Sequence, residues 1–207
     1  MPVFDLTREF IGERFPGTVK REEIALTSAS THYTGVVYTL THDGMSGTYI
    51  DFPGHIAETD DGMDAENCPL EQTWRVPASV IRLHRQSGSG AVTADDLERA
   101  WGGRPDTPAI VINALGDLNP HDIERRSVYL DDSSLDWLIA LPCRLLVSDI
   151  YESQALHGAF LKLFRAGITA ICEPVNLGTL PRSVFLTALF PKIPGVRQLP
   201  CRLVADC

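Results

Sequence analysis

Through the second half of the chain, short branched-aliphatic runs alternate with amphipathic stretches, and this pattern sets the first expectations. The runs "PAIVINAL" (108–115) and "CRLLVSDI" (143–150) are apolar without alternation, as strands buried on both faces are. "VPASVIRLH" (76–84) and "ITAICEPV" (168–175) read as further strands, and "QLPCRLVADC" (198–207) as a last one. Helices are expected between them. "VTADDLERAW" offers Thr93 as an N-cap ahead of acidic first-turn residues, and "DDSSLDWLIAL" is a second, short candidate. The clearest helix is expected over 153–166, where Ala155, Leu156, Ala159, Phe160, Leu163 and Phe164 recur at helical spacing and Gly167 supplies a stop. "RQSGSGAV" (85–92) and "NLGTLP" (176–181) read as loops, and the first 85 residues are strand-rich. The expected class is mixed α/β in one domain spanning 1–207.

Composition narrows the partners. The formal net charge of -9 over 207 residues disfavours phosphate backbones and anionic lipid surfaces, so neither nucleic acid nor membrane is expected. No stretch reaches the ~20 apolar residues of a bilayer span, and the start "MPVFDLTREF" lacks the layout of a secretory leader. Five scattered cysteines without a CxxC pair point to reduced thiols and a cytoplasmic protein rather than to a disulfide framework.

Chemistry is concentrated in few places. In "MSGTYIDFPGH" (45–55), Tyr49, Asp51 and Pro53 share one face if the segment is extended, and His55 joins them if the strand continues. An Asp–His pair serves equally as metal ligands or as an acid–base pair, and is also a common pair with no chemical role. His157 sits at the margin of the apolar stripe of the expected helix, where an imidazole reaches a cleft or satisfies a backbone carbonyl. Glu173 follows the buried run "ITAIC", where a carboxylate is costly unless it meets a cation, a metal or hydrogen-bond donors. His84 and His121 read as surface residues. "VYTLTHDGM" (37–45), "FPG" (52–54) and Trp74 hint at an aromatic-lined pocket, although aromatic residues more often pack a core.

The 45–55 stretch resembles the HxGTHxDxPxH signature of the cyclase family of metal-dependent hydrolases, which includes bacterial kynurenine formamidases and isatin hydrolase. Gly47, Thr48, Asp51, Pro53 and His55 match it, whereas Met45 and Tyr49 stand where the family has its two leading histidines. "ALHGAFLKLF", "GITAICEPVNL" and the closing "FPKIPGVRQLPCRLVAD" are also family-like, so the resemblance spans nearly the whole chain. It implies a swivelling β/β/α cyclase-type fold with a mixed sheet and packed helices, and a homodimer or higher homo-oligomer. It implies an enzyme acting on a small carbonyl compound by hydrolysing an amide, lactone or cyclic amide. Asp51, His55, His157 and Glu173 are then the candidate ligands of one divalent metal, zinc or manganese, or of none. Thioether and phenol are poor substitutes for imidazole at such an ion. Without metal, His55, Tyr49, His157 and Glu173 are the candidate catalytic groups. Two alternatives remain: a metal-independent cyclase or dehydratase of natural-product biosynthesis using Tyr49 and His55, and a non-catalytic relative that binds a small ligand.

Overall fold

The structure, a computed structural model, describes residues 2–10 and 17–207. Thirteen strands occur among the described residues: β1 Val3–Asp5, β2 Thr18–Thr27, β3 His32–Thr41, β4 Tyr49–Asp51, β5 Val76–Arg82, β6 Gly90–Val92, β7 Ala109–Asn113, β8 Val128–Leu130, β9 Leu145–Ser148, β10 Thr169–Cys172, β11 Ser183–Leu189, β12 Gln198–Pro200 and β13 Arg202–Asp206. Three helices accompany them: α1 Ala94–Trp101, α2 Asp132–Ile139 and α3 Ala159–Arg165. Nine strands form one mixed sheet in the order β1-β13-β11-β5-β7-β9-β10-β4-β12. Its centre, β5-β7-β9-β10, is parallel, and the flanking pairs are antiparallel.

The central runs carry no polar alternation because both faces of the sheet are covered. Ile110, Ile112 and Leu146 point to a core shared with Leu97 of α1, Leu135 and Leu138 of α2, and Leu163 and Phe164 of α3. Val111, Leu145 and Val147 point the other way, into a second core. Leu203 and Ala205 near one sheet edge and Ile50 and Leu199 at the other join that same second core, so the sheet curls around it.

Local signals account for most boundaries. Thr93 accepts from the Asp96 amide while Asp96 caps the Thr93 amide in return, and Gly102 ends α1 at a φ of 85°. Four expectations need correction. The loop expected at 85–92 contains β6, which pairs in parallel with β8. The expected terminal strand is two, β12 beside β4 and β13 between β1 and β11. The extended run from Tyr49 stops at Asp51, and a 3-10 turn over Pro53–His55 swings His55 out to solvent. The helix expected over 153–166 begins only at Ala159. Leu156 and Gly158, at φ 54° and 86°, hold left-handed backbone that a helix cannot contain, so His157 lies in the loop before it.

Candidate active site

β4 lies between β10 and β12, and its register arranges the chemistry. Tyr49 is level with Cys172 and Pro200, and Asp51 with Ala170 and Gln198. Side chains alternate along a strand, so Tyr49 and Asp51 share one face and Ile50 enters the second core on the other. The Cys172 thiol then falls diagonally between Tyr49 and Asp51 and donates to Asp51 Oδ2 at 3.7 Å.

Tyr49 and Cys172 open onto a cavity of about 110 Å³ with Ser148, Asp149, Glu152, Phe160 and Glu173. It lies beyond the carboxyl ends of β9 and β10, where ligand sites of parallel sheets collect. The volume corresponds to roughly four water molecules, enough for a compact organic ligand. Tyr151 and Phe160 stack at 5.0 Å on the apolar side. Arg125 and Arg126 line it as well. Trp74, by contrast, is exposed and away from the cavity, as is Tyr38, and Phe52 is buried in the second core, so the aromatic lining comes from other residues than these.

Burial sets the protonation states. It pushes the Asp51 carboxyl up to about 6, against the opposing pull of His55 and of hydrogen bonds from Gln198 and Cys172. Asp51 Oδ1 has no hydrogen-bond partner, and of the three such buried side-chain atoms among the described residues it is the one that can carry charge. Burial also raises the Tyr49 phenol, with Cys172, Asp51 and Glu173 adding to the shift, so it stays a neutral donor. The Cys172 thiol is raised well above its ordinary range by burial and then by Asp51, which keeps it protonated and a poor nucleophile.

Glu173 meets the cation its position demands. Its Oε2 accepts from Arg8 Nη1 at 2.9 Å, and its carbonyl accepts from Thr48 Oγ1 at 2.8 Å. Its φ of 55° turns the chain at the cavity rim. His55 is exposed, beyond Asp51, with Nε2 at 3.3 Å from Gln198 Nε2.

His157 stands apart from this group. Its Nε2 donates to the Leu130 carbonyl at 2.8 Å, while Nδ1 faces Ser153 Oγ at 2.8 Å and Glu152 Oε1 at 2.9 Å. Glu152 in turn accepts from the Gly158 and Ala159 amides at the start of α3. Both ring nitrogens therefore brace the loop into α3. Of the residues expected to converge, Tyr49 and Glu173 line the cavity, Asp51 stands behind Cys172, His55 lies on the solvent side, and His157 is not among the cavity's lining residues.

Among the described residues, no three His, Cys, Asp or Glu side chains are gathered to hold a metal ion. The open Asp51 Oδ1 is a place for a missing partner. One carboxylate and one thiol nevertheless fall short of the three protein ligands a catalytic zinc keeps, so the donors gathered there among the described residues do not fit a divalent ion.

Sequence reasoning passed over two residues of the cavity wall, Cys172 and Asp149. Cys172 counted only as a scattered thiol, although it directly precedes Glu173. Asp149 follows the buried β9 as Glu173 follows the buried β10, and the argument that singled out the glutamate applies to it equally. Asp149 accepts from the Ala114 and Leu115 amides and from Asn113 Nδ2, at 2.9, 3.0 and 3.1 Å.

Among the described residues no helix is long and apolar enough to cross a membrane. Comparison with solved structures places the architecture. Isatin hydrolase A from Labrenzia aggregata superposes with a TM-score of 0.74 at 18% identity, covering 99% of this chain and 93% of that one. A structure described as a potential metal-dependent hydrolase with cyclase activity gives 0.73 at 20% identity, covering 99% and 96%. A predicted metal-dependent hydrolase from Bacillus stearothermophilus gives 0.71 at 22%, covering 99% and 97%. The mixed α/β fold is thus of the cyclase type. No curated protein matches the sequence significantly. The sequence profile described as putative cyclase matches residues 4–153, and the chain accordingly belongs to the cyclase family of enzymes.

Proposed function

We propose that this enzyme hydrolyses a small amide, lactone or cyclic amide at the Tyr49–Cys172 wall of the cavity, by acid–base chemistry that its own side chains supply. The observation that carries this reading is Asp51. It is a buried carboxyl held near pKa 6 with one oxygen unpartnered, joined through a thiol to the cavity. A group with that pKa exchanges protons efficiently near neutral pH.

In this reading, water adds to the substrate carbonyl carbon while the Tyr49 O–H donates to the oxygen on which charge develops. The proton lost by the water passes to Cys172, whose own thiol proton moves to Asp51. Collapse of the adduct breaks the C–N or C–O bond, and the proton returns from Asp51 by the same route to the leaving nitrogen or oxygen. His55, on the far side of Asp51, connects the carboxyl to solvent. Arg8 fixes Glu173 at the rim, so this carboxylate shapes the cavity.

Isatin, the substrate named for one of the structural neighbours, is a compact cyclic amide and belongs in the first substrate panel with small lactones and aryl formamides. Turnover of at least one of these is expected to survive a chelator and to fall about a hundredfold or more in Tyr49→Phe, the effect of losing one oxyanion donor. Turnover that depends on added zinc or manganese, or that is indifferent to Tyr49→Phe, overturns the reading.

A further inference from the structure

Three carboxylates and two guanidiniums line the cavity, and the two kinds of charge are held differently. Glu173 accepts from Arg8 at 2.9 Å, and Glu152 lies 2.9 Å from His157 Nδ1 and accepts from two amides. Asp149 accepts from two amides and from Asn113. Every acid on the wall is therefore engaged within the fold. Arg125 and Arg126 are not: among the described residues, neither guanidinium makes an ion pair or a hydrogen bond.

A turn brings the two arginines to one cavity. The Ser127 amide donates to the Glu124 carbonyl at 3.1 Å, which puts Arg125 and Arg126 at the corner. Neighbouring residues of an extended chain face opposite sides, and the φ of 62° at Arg126 breaks that alternation. A positive φ at the third position of such a turn is ordinarily filled by glycine or asparagine. The corner is fixed to β6 and β8, because the Gly90 amide donates to the Ser127 carbonyl at 2.7 Å. A long cationic side chain thus occupies a strained corner suited to glycine, and the fold gives it no partner. Strain of this kind collects where a side chain is put to use. Arg126 also lines an open groove of about 420 Å³ with Ser127, Tyr129, Ser153 and Gln154, so it is common to the cavity and to a polar approach.

We infer that the substrate carries a carboxylate beside its reacting carbonyl, and that Arg126, assisted by Arg125, binds it. The assignment rests on the hydrolytic function proposed for this cavity and names the substrate class within it. The fork of a guanidinium matches the two oxygens of a carboxylate. Arg126 is half-buried and Arg125 exposed, so Arg126 gives the larger share. The formal net charge of -9 works against anions over the rest of the surface, so the recognition is local to this turn. The carbonyl lies inward, at Tyr49, and the carboxylate at the turn.

Matched aryl formamides test this on the intact chain: formanilide against the ortho, meta and para formamidobenzoates. At least one formamidobenzoate should exceed formanilide in kcat/KM by about tenfold or more, the effect of one charge-assisted contact. Arg126→Gln should cut that preference about tenfold or more, through KM rather than kcat. Arg125→Gln should cut it less, and Arg126→Lys should recover part of it. Arg126→Gly relieves the backbone, so it should melt no lower than the wild type while losing the preference as fully. Calorimetry of the corresponding aminobenzoates against aniline reads the same contact without turnover, and Arg126→Gln should weaken their binding about tenfold. Aminobenzoates that bind no tighter than aniline, arginine variants that slow formanilide and formamidobenzoates alike, or an Arg126→Gly that melts well below the wild type each overturns the inference and leaves the hydrolytic reading standing. A carboxylate preference that persists in turnover dependent on added zinc or manganese does the reverse: the arginine contact holds and the metal-independent chemistry falls.

Discussion

Asp51 lies in β4 behind the Cys172 wall of the cavity and Asp149 lines it at the end of β9, two strands away, and burial pushes both carboxyls up to about 6. Their surroundings are opposite. Asp149 accepts from two backbone amides and from Asn113, tying the end of β9 to the loop after β7. Asp51 has only side-chain donors, a weak thiol and Gln198, and its Oδ1 has no partner. Burial alone therefore does not separate a structural carboxylate from a working one. What separates them is whether fixed donors have already taken the oxygens.

The largest expected effect comes from applying one isosteric change to both. Asp51→Asn removes the proton acceptor of the proposed relay and should lower kcat by about a hundred- to ten-thousandfold. Folding should be little harmed, because the groups that lose the carboxylate are the weak thiol donor and the side chains of Gln198 and His55, while no backbone amide is left unpaired. Asp149→Asn sets an amide NH2 against donors that the carboxylate served, and should destabilise the fold by about 2–3 kcal/mol, read from urea unfolding at pH 8. An inert Asp51→Asn or a harmless Asp149→Asn breaks the contrast.

The next effect is in the pH dependence of stability. Both carboxyls hold a proton more tightly in the folded chain, at about 6, than at the ordinary 3.8. Between those values the native state binds more protons than the unfolded one, so stability is greatest at the acid end and is lost as pH rises through about 6. For Asp51 the loss amounts to at most about 3 kcal/mol. Asp51→Asn should flatten the urea midpoint between pH 4 and pH 7 by part of that amount, and an unchanged slope would mean that Asp51 does not titrate there.

How much of this was legible in the sequence depended on the range of the forces involved. β7, β9 and β10 follow from apolar runs, and the start of α1 follows from Thr93, because these signals are local. The shortened α3 was hidden because Leu156 satisfies a helical stripe on paper while its backbone at φ 54° belongs to a turn, which is how His157 came to look like a cleft residue. That Tyr49 shares a face with Asp51 was readable from strand alternation, and that Glu173 needs a cation or donors from the buried run before it. Their neighbour Cys172 was not, because its position depends on the register between β4 and β10, which no local pattern specifies.

The smallest effect is the most direct test of that neighbour. Cys172 reaches Asp51 Oδ2 with a weak S–H donor at 3.7 Å, and burial holds Asp51 at about 6 because His55, Gln198 and this thiol offset it only in part. Cys172→Ser supplies a stronger donor of similar shape. A donor favours the charged carboxylate, so the acid limb of the kcat profile should move to lower pH by about one unit or less, with folding little changed. The proton route through residue 172 survives in serine, so kcat on the plateau should fall only modestly. If the acid limb stays in place while the plateau collapses, the thiol is acting as something other than a relay, and the difference between the two aspartates lies elsewhere than in their donors.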